Sequence, residues 1–246
     1  MGYDHHILLP GVPASSARGA LGWCSVVLVR GAGQNIIFDT GSHGDRRQLI
    51  GALDRLDIAP ADIQSVYLSH FHYDHALNAD IFPNARLLVS VKEWEYVQSG
   101  AFRKAGDPFV PTSLIAWAAE RVELFEAGQD LLPGLVALPL PGHTPGLCGL
   151  LLEQEKTLLA GDGVKNGWEF ARRQPPPCFF STRAALESYE RAAAAAKLIV
   201  PGHDRPFRVG PEGKIAYVAE SSVEISFFPD PGAPPRTIPL SSNESI

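Results

Sequence analysis

Residues 70–75 of this chain read His-Phe-His-Tyr-Asp-His, so four potential metal ligands fall within six positions. Neutral imidazole nitrogens and ionised carboxylate oxygens suit zinc and its neighbours in the first transition row. The spacing of His70, His72 and His75 is i, i+2 and i+5, whereas a helical zinc pair sits at i and i+4. The preceding apolar run, 65–69, predicts a strand whose end aims the first two histidines to one side. This geometry favours two adjacent cations over one.

Further candidate ligands follow other apolar runs at glycine-containing turns. Pro-Gly-His occurs twice, ending at His143 and at His203, and Ala-Gly-Asp ends at Asp162. Glycine permits a sharp turn and a close approach of the backbone, and rigid scaffolds carry functional side chains on such loops. One isolated turn of this kind would be interpreted as a solvated histidine, but four such segments on one chain indicate a shared centre. His5 and His6 are expected to be exposed residues rather than ligands.

The order and spacing of these residues resemble those of the metallo-β-lactamase superfamily of hydrolases, over about residues 22–210. The resemblance implies two divalent cations, with zinc as the leading expectation and iron or manganese also permitted by the ligands. It assigns one cation to His70, His72 and His143, the second to Asp74, His75 and His203, and a bridging position to Asp162. It also implies that Asp39 braces the metal-binding loops.

Asp39 begins an Asp-Thr-Gly-Ser segment that has a rival interpretation. Aspartic proteases use Asp-Thr-Gly, with two such carboxylates sharing a proton. This chain has one copy, so that chemistry would need a homodimer and would leave the seven metal-type residues unexplained. We therefore rank the protease interpretation low.

The apolar pattern predicts a mixed α/β chain in two halves, and the resemblance implies a four-layer αββα sandwich. We expect a hydrolase domain over 1–228 and an irregular, Pro/Ser-rich tail over 229–246. The segment 101–118 is expected to be less regular, as a lid over the site or a packed surface loop. Helices are predicted near 45–56, 75–82, 92–100 and 182–196, and strands near 22–29, 35–39, 65–69, 86–90, 121–126, 135–140, 148–153, 157–161, 198–200 and 215–218.

The composition narrows the class of partner. Apolar residues make up 45% of the chain and charged residues 20%, as in globular proteins with a buried core. The formal net charge of −6 gives no general attraction to nucleic acid or to an anionic membrane. The three scattered cysteines indicate free thiols in a reducing cytoplasm. We therefore expect a cytoplasmic enzyme with a small-molecule substrate and no membrane or nucleic-acid partner, and a homodimer stays open.

The resemblance implies hydrolysis of a carboxylic ester or lactone by a hydroxide that bridges the two cations. Asp74 is expected to orient that hydroxide and to move its proton to the leaving group. The pattern is closest to small lactonases of the acyl-homoserine type. Those enzymes carry a tyrosine three residues after the bridging aspartate, where this chain has Lys165. Lys165, Trp168 and Tyr73 are the predicted substrate contacts.

Other activities on the same fold stay open as alternatives. A phosphodiesterase or ribonuclease is the second interpretation, because the segment 200–208 resembles a branch linked to RNA 3′-end cleavage. A thioesterase is a further alternative. A metal-binding regulator without turnover ranks last, because such proteins usually lose ligands and all seven are present here.

Overall fold

Two mixed β-sheets form the centre of the structure, a computed structural model that describes residues 2–218, 220, 222–225, 232, 234 and 236–239. Seven α-helices accompany them in the described part of the chain: α1 (Arg46–Asp54), α2 (Tyr73–Ala76), α3 (Val91–Gln98), α4 (Ala101–Lys104), α5 (Thr112–Ala119), α6 (Gly167–Arg172) and α7 (Thr182–Ala195). The strands in chain order are β1 (Asp4–Leu9), β2 (Ser15–Ser16), β3 (Gly19–Ala20), β4 (Val26–Gly31), β5 (Gln34–Phe38), β6 (Ser65–Tyr67), β7 (Arg86–Ser90), β8 (Val122–Phe125), β9 (Asp130–Leu132), β10 (Leu135–Pro139), β11 (Cys148–Leu152), β12 (Thr157–Gly161), β13 (Leu198–Pro201), β14 (Phe207–Val209), β15 (Ile215–Tyr217), β16 (Ser222–Ile225) and β17 (Arg236–Pro239).

Each large sheet combines antiparallel hairpins with parallel crossovers. The first sheet has the order β1-β4-β5-β6-β7-β8, and its strands from β5 onward are parallel. The second sheet has the order β15-β14-β13-β12-β11-β10-β9, with β12 and β13 as its parallel pair. Parallel neighbours need a crossover, and α7 supplies the one between β12 and β13. Because parallel strands end at the same edge, the loops that follow β12 and β13 emerge side by side.

The buried residues form three core layers, one between the two sheets and one between each sheet and the helices outside it. Between the sheets, Val29, Phe38 and Tyr67 of the first pack with Leu150 and Val200 of the second. On the outer face of the first sheet lie α1, α3 and α5, and on the outer face of the second lie α6 and α7. This arrangement confirms the predicted αββα sandwich.

Residues 101–118 differ from the irregular segment that the sequence suggested. They contain α4 and α5, and the side chains of Phe102, Val110, Leu114 and Ala118 are buried in the core outside the first sheet. Packing against the sheet, rather than a strong helical repeat, stabilises these short helices. Most of the segment therefore belongs to the outer helical layer that covers the first sheet. Phe109 within it is 39% exposed.

The two ends of the described chain also depart from expectation. Residues 4–9, which carry His5 and His6, form the edge strand β1 paired with β4, a pairing that their polar residues concealed. His6 is exposed and His5 is half-buried. Within the predicted irregular tail, β17 pairs with β16, a long-range contact that composition does not reveal. The proposed boundary at residue 228 lies outside the described residues. In the part of the chain that the structure describes, no helix is long and apolar enough to cross a membrane.

Candidate metal centre

The seven predicted ligands lie on four loops at one edge of the sandwich. His70, His72, Asp74 and His75 follow β6 of the first sheet, and the last two belong to the short helix α2. The other three ligands follow strands of the second sheet, as His143 after β10, Asp162 after β12 and His203 after β13. All seven side chains are buried, and Asp74 is the most exposed of them at 8%. The structure thus brings together every ligand that the spacing predicted.

The first ligand group consists of His70, His72 and His143, whose ligand atoms lie within 4.8 Å of one another. His72 Nδ1 is 3.1 Å from His143 Nε2. The opposite ring nitrogens are already engaged, because His72 Nε2 lies 2.8 Å from Asp107 Oδ2 and His143 Nδ1 lies 3.0 Å from the Pro177 carbonyl oxygen. The nitrogens that remain therefore point at a common centre.

The second ligand group consists of Asp74, His75 and His203. His203 Nε2 lies 3.3 Å from His75 Nε2 and 3.4 Å from Asp74 Oδ2. Asp162 lies between the two groups. Its Oδ2 is 3.5 Å from His143 Nε2, while its Oδ1 is 3.2 Å from His203 Nε2 and 3.4 Å from His75 Nε2. One carboxylate oxygen therefore faces each group, as a bridging ligand requires.

The donor set fits divalent cations. His70 Nε2 and Asp162 Oδ1 are buried without a hydrogen-bond partner, although buried polar atoms are nearly always paired. Burial, reinforced by His75 and His72, lowers the pKa of His70 well below its ordinary value. Burial likewise lowers the pKa of His143 to about 3. Neutral imidazoles are the form that ligates metal, and cations at the site would satisfy the unpaired lone pairs of His70 Nε2 and Asp162 Oδ1.

Asp39, predicted to brace the metal loops, lies behind the second ligand group. Its Oδ2 is 2.7 Å from His75 Nδ1 and accepts a hydrogen bond from Ser69 Oγ, and its Oδ1 accepts one from the Ser69 backbone N–H. Ser69 Oγ lies 3.0 Å from His70 Nδ1. Asp39 adopts a left-handed backbone (φ 54°), an uncommon conformation for a residue other than glycine. This conformation turns a strand-end carboxylate toward the ligand loops.

Two buried carboxylates at the site were missed by the sequence reasoning. Asp107 accepts hydrogen bonds from Tyr96 Oη and the Phe109 backbone N–H besides its contact with His72. Burial opposes the ionisation of Asp107, but the hydrogen bond and charge of His72 and the hydrogen bonds from Phe109 and Tyr96 together outweigh it and lower the carboxyl pKa. Asp107 stands before a proline in an irregular stretch and gave no signal of its own.

Glu93 connects the two loops of the first ligand group. Its Oε1 accepts a hydrogen bond from the Phe71 backbone N–H, between His70 and His72. Its Oε2 accepts hydrogen bonds from Thr144 Oγ1 and the Gly146 backbone N–H, in the loop of His143. The sequence held a signal for Glu93, because it lies four residues before the apolar Val97 and therefore on the same face of a helix.

We expect Asp107→Ala to weaken metal binding at the first ligand group. The carboxylate fixes the ring orientation of His72, and loss of such a partner typically costs about 10–100-fold in metal affinity. Titration of the apoprotein with zinc against a chelating dye measures both affinities, with the exposed Asp130→Ala as the matched control. Unchanged affinities in Asp107→Ala would show that Asp107 does not position His72.

The three predicted substrate contacts, Lys165, Tyr73 and Trp168, differ in their exposure and in their neighbours. Lys165 Nζ donates a hydrogen bond to Asp162 Oδ2 over 3.1 Å. Burial opposes the charge of Lys165, but Asp162 and Asp74 outweigh it and raise the ammonium pKa. Tyr73 is half-buried, and its ring lies 6.1 Å from that of Phe109. Trp168 is 47% exposed and packs under the Arg172 guanidinium.

Two surfaces border the centre. An aromatic wall formed by Phe109 and Phe179 covers the first ligand group, with ring centroids 5.5 and 5.7 Å from that of His72. A polar cleft of about 210 Å³ borders the second group. The residues that line the cleft are Val12, Pro13, Ala14, Ser15, Ala20, Gly22, Lys165, Asn166, Glu169 and His203.

Comparison with known proteins agrees with this geometry. The family model of the metallo-beta-lactamase superfamily matches residues 21–203. Metallo-beta-lactamase domain-containing protein 1 of Xenopus laevis is 30% identical over 202 residues, which are 78% of this chain and 75% of that protein. The N-acyl homoserine lactonase AiiB of Rhizobium rhizogenes is 31% identical over 163 residues, which are 54% of this chain and 58% of that protein.

A solved structure extends the comparison to the fold. AidC, described as a dizinc quorum-quenching lactonase, superposes with a TM-score of 0.66 at 18% identity, covering 89% of this chain and 92% of that one. Likeness at this identity supports the fold alone. The family match and the Xenopus relative carry the assignment further: this chain belongs to the metallo-β-lactamase superfamily and is a metal-dependent hydrolase.

Proposed function

We propose that the enzyme hydrolyses a carboxylic ester or lactone of a small molecule with two divalent cations, zinc being the expected metal. The observation that carries the proposal is the pair of ligand groups on either side of Asp162, whose two oxygens face different groups. The similarity to a protein named as a lactonase supports ester chemistry. The phosphodiesterase alternative rests on the resemblance of the segment 200–208.

The residues present fit two cations. One would be held by His70, His72 and His143, the other by Asp74, His75 and His203, and Asp162 would ligate both. When bound, a pair of such cations supplies Lewis-acid activation of water and of the scissile carbonyl group. Asp39 and Asp107 hold the rings of His75 and His72 through their distal nitrogens, so the centre is organised before substrate arrives.

Asp74 is the chain's own candidate for proton transfer. Its Oδ2 lies 3.4 Å from His203 Nε2, its Oδ1 lies 4.0 Å from His75 Nε2, and its side chain is 11% exposed. A carboxylate at the mouth of the centre can accept the proton of the attacking water and return it to the leaving oxygen. Proton transfer of this kind typically contributes about 10²–10⁴-fold to the rate.

The aromatic wall supports an organic substrate with an apolar part. Phe109 and Phe179 contact each other at 5.8 Å between ring centroids, and Phe179 also contacts the ring of His143. Rings at this position exclude water from one side of the centre and give an acyl chain an apolar surface. Such an apolar surface does not stabilise the charged phosphate backbone of a nucleic acid.

A substrate panel on the metal-loaded protein tests the proposal. We expect 4-nitrophenyl butanoate and a γ-lactone to be hydrolysed, and kcat/KM for bis(4-nitrophenyl) phosphate to be at least about 100-fold lower. A correct substrate class gains several hydrogen-bond and packing interactions in the transition state. His72→Ala should lose ester hydrolysis, and the exposed His6→Ala should retain it. A clear preference for the phosphodiester would replace the ester proposal with phosphodiesterase activity.

A further inference from the structure

Glu169 is a carboxylate that the reaction so far leaves unused. It lies on α6 and lines the polar cleft together with Lys165 and with His203 of the second ligand group. Its Oε2 is buried and has no hydrogen-bond partner. A buried acceptor without a partner is uncommon and calls for a donor from elsewhere. The cleft that Glu169 lines is the place from which such a donor can come.

Burial at this position disfavours the ionised form of Glu169. Burial raises the carboxyl pKa to about 7, and Lys165 acts in the opposite direction by favouring the charged form. Bound cations at the neighbouring centre would favour the carboxylate further. An ionised carboxylate accepts hydrogen bonds and cannot donate them. The ionised form of Glu169 therefore needs an O–H or N–H donor on the group that meets it.

The walls of the cleft limit the size of that group. The segment that leads into and includes the paired strands β2 and β3 contributes small or apolar residues, namely Val12, Pro13, Ala14 and Ala20. The α6 side contributes the polar groups. The cleft holds about 210 Å³, less than the 300–1,000 Å³ typical of a whole ligand site. It suits one short polar arm of a substrate whose scissile bond lies at the centre and whose apolar part lies on the aromatic wall.

We propose that Glu169 determines specificity by accepting a hydrogen bond from a hydroxyl group that the substrate carries a few bonds from its scissile carbonyl. This inference rests on the proposed ester or lactone hydrolysis and narrows its substrate class to hydroxylated acyl compounds. Hydrogen bonds to charged groups are stronger than neutral ones, and a buried acceptor left unpaired by a plain acyl group penalises that substrate. The preference should therefore reach about tenfold or more in kcat/KM.

The test compares 4-nitrophenyl 3-hydroxybutanoate with 4-nitrophenyl butanoate on metal-loaded enzyme. We expect the hydroxylated ester to be favoured about tenfold or more by the native enzyme. In Glu169→Leu the ratio of the two kcat/KM values should approach one, and Glu169→Gln, which keeps an acceptor oxygen, should retain part of the preference. Glu95→Leu, at an exposed glutamate of α3, is the matched control and should leave the ratio unchanged.

A binding measurement separates this inference from the proposed function. Calorimetric dissociation constants for 3-hydroxybutanoate and butanoate should show the same preference and the same loss in Glu169→Leu, whether or not the esters are hydrolysed. Hydrolysis of both esters with a ratio near one in the native enzyme would overturn the role of Glu169 and leave the proposed function standing. Absence of ester hydrolysis with a retained binding preference would overturn the proposed function and leave the role of Glu169 standing. Equal binding of the two acids overturns the inference in either case.

Discussion

Asp162→Ala is expected to lower ester hydrolysis about a thousand-fold or more and to reduce the metal content of the purified protein. Its two oxygens face different ligand groups, so one substitution removes a ligand from both positions. Loss of several kcal/mol of transition-state stabilisation corresponds to at least this factor, since about 1.4 kcal/mol is tenfold. Lys165 would also lose the partner of its ammonium group.

Kinetics and elemental analysis on the same preparations measure this effect. The exposed Asp130→Ala changes an aspartate far from the ligand groups and should keep both the activity and the metal content. Asp162→Ala protein that keeps two equivalents of metal and native kcat would show that Asp162 does not bridge the two groups.

Gly146→Ala is expected to be strongly destabilising and to weaken the first metal position. A Cβ at this glycine would overlap the backbone of Glu93 and come within 2.6 Å of the Lys92 carbonyl carbon. Backbone atoms at the start of α3 cannot step aside as a flexible side chain can, so the loop that carries His143 must move. Overpacking of this kind costs about 1–3 kcal/mol and occasionally more.

Gly51→Ala is the matched control for that substitution. Gly51 lies within α1, and a Cβ there meets only the end of the Arg55 side chain at 3.8 Å. Alanine in a helix interior is favoured over glycine by about 0.5–1 kcal/mol, so this variant should be slightly more stable than the native protein. Chemical denaturation compares the free energies of unfolding, and a Gly146→Ala variant as stable as Gly51→Ala would contradict the close packing of the His143 loop against α3.

The ligands could be predicted because local chemistry marked them. Each of His143, Asp162 and His203 follows an apolar strand and a glycine, and both features are visible in the sequence. Strand ends and glycine turns place side chains at the edge of a sheet regardless of what lies across the fold. Which ligands share a cation required the family resemblance, because spacing alone does not reveal how the two sheets pack.

The residues that support the ligands could not be predicted in the same way. Asp107 reaches His72 across 35 residues of chain, and Glu93 reaches Thr144 across 51. The role of Asp107 depends on tertiary contacts that leave no trace in the sequence, and the helical spacing of Glu93 indicates its face but not its partners. The strand β1 was missed for a similar reason, because pairing with β4, rather than an apolar pattern, makes it a strand. Trp168 was chosen for its position near a ligand in the sequence, and its role as a substrate contact stays a prediction.

Anomalous X-ray diffraction from crystals of the zinc-loaded protein at the zinc edge tests the dinuclear centre most directly. We expect two peaks: one about 2.0–2.1 Å from His70 Nε2, His72 Nδ1 and His143 Nε2, the other at such distances from His75 Nε2 and His203 Nε2, with Asp162 between them. A single peak, or a peak that none of these nitrogens contacts, would contradict a dinuclear centre built from the seven residues.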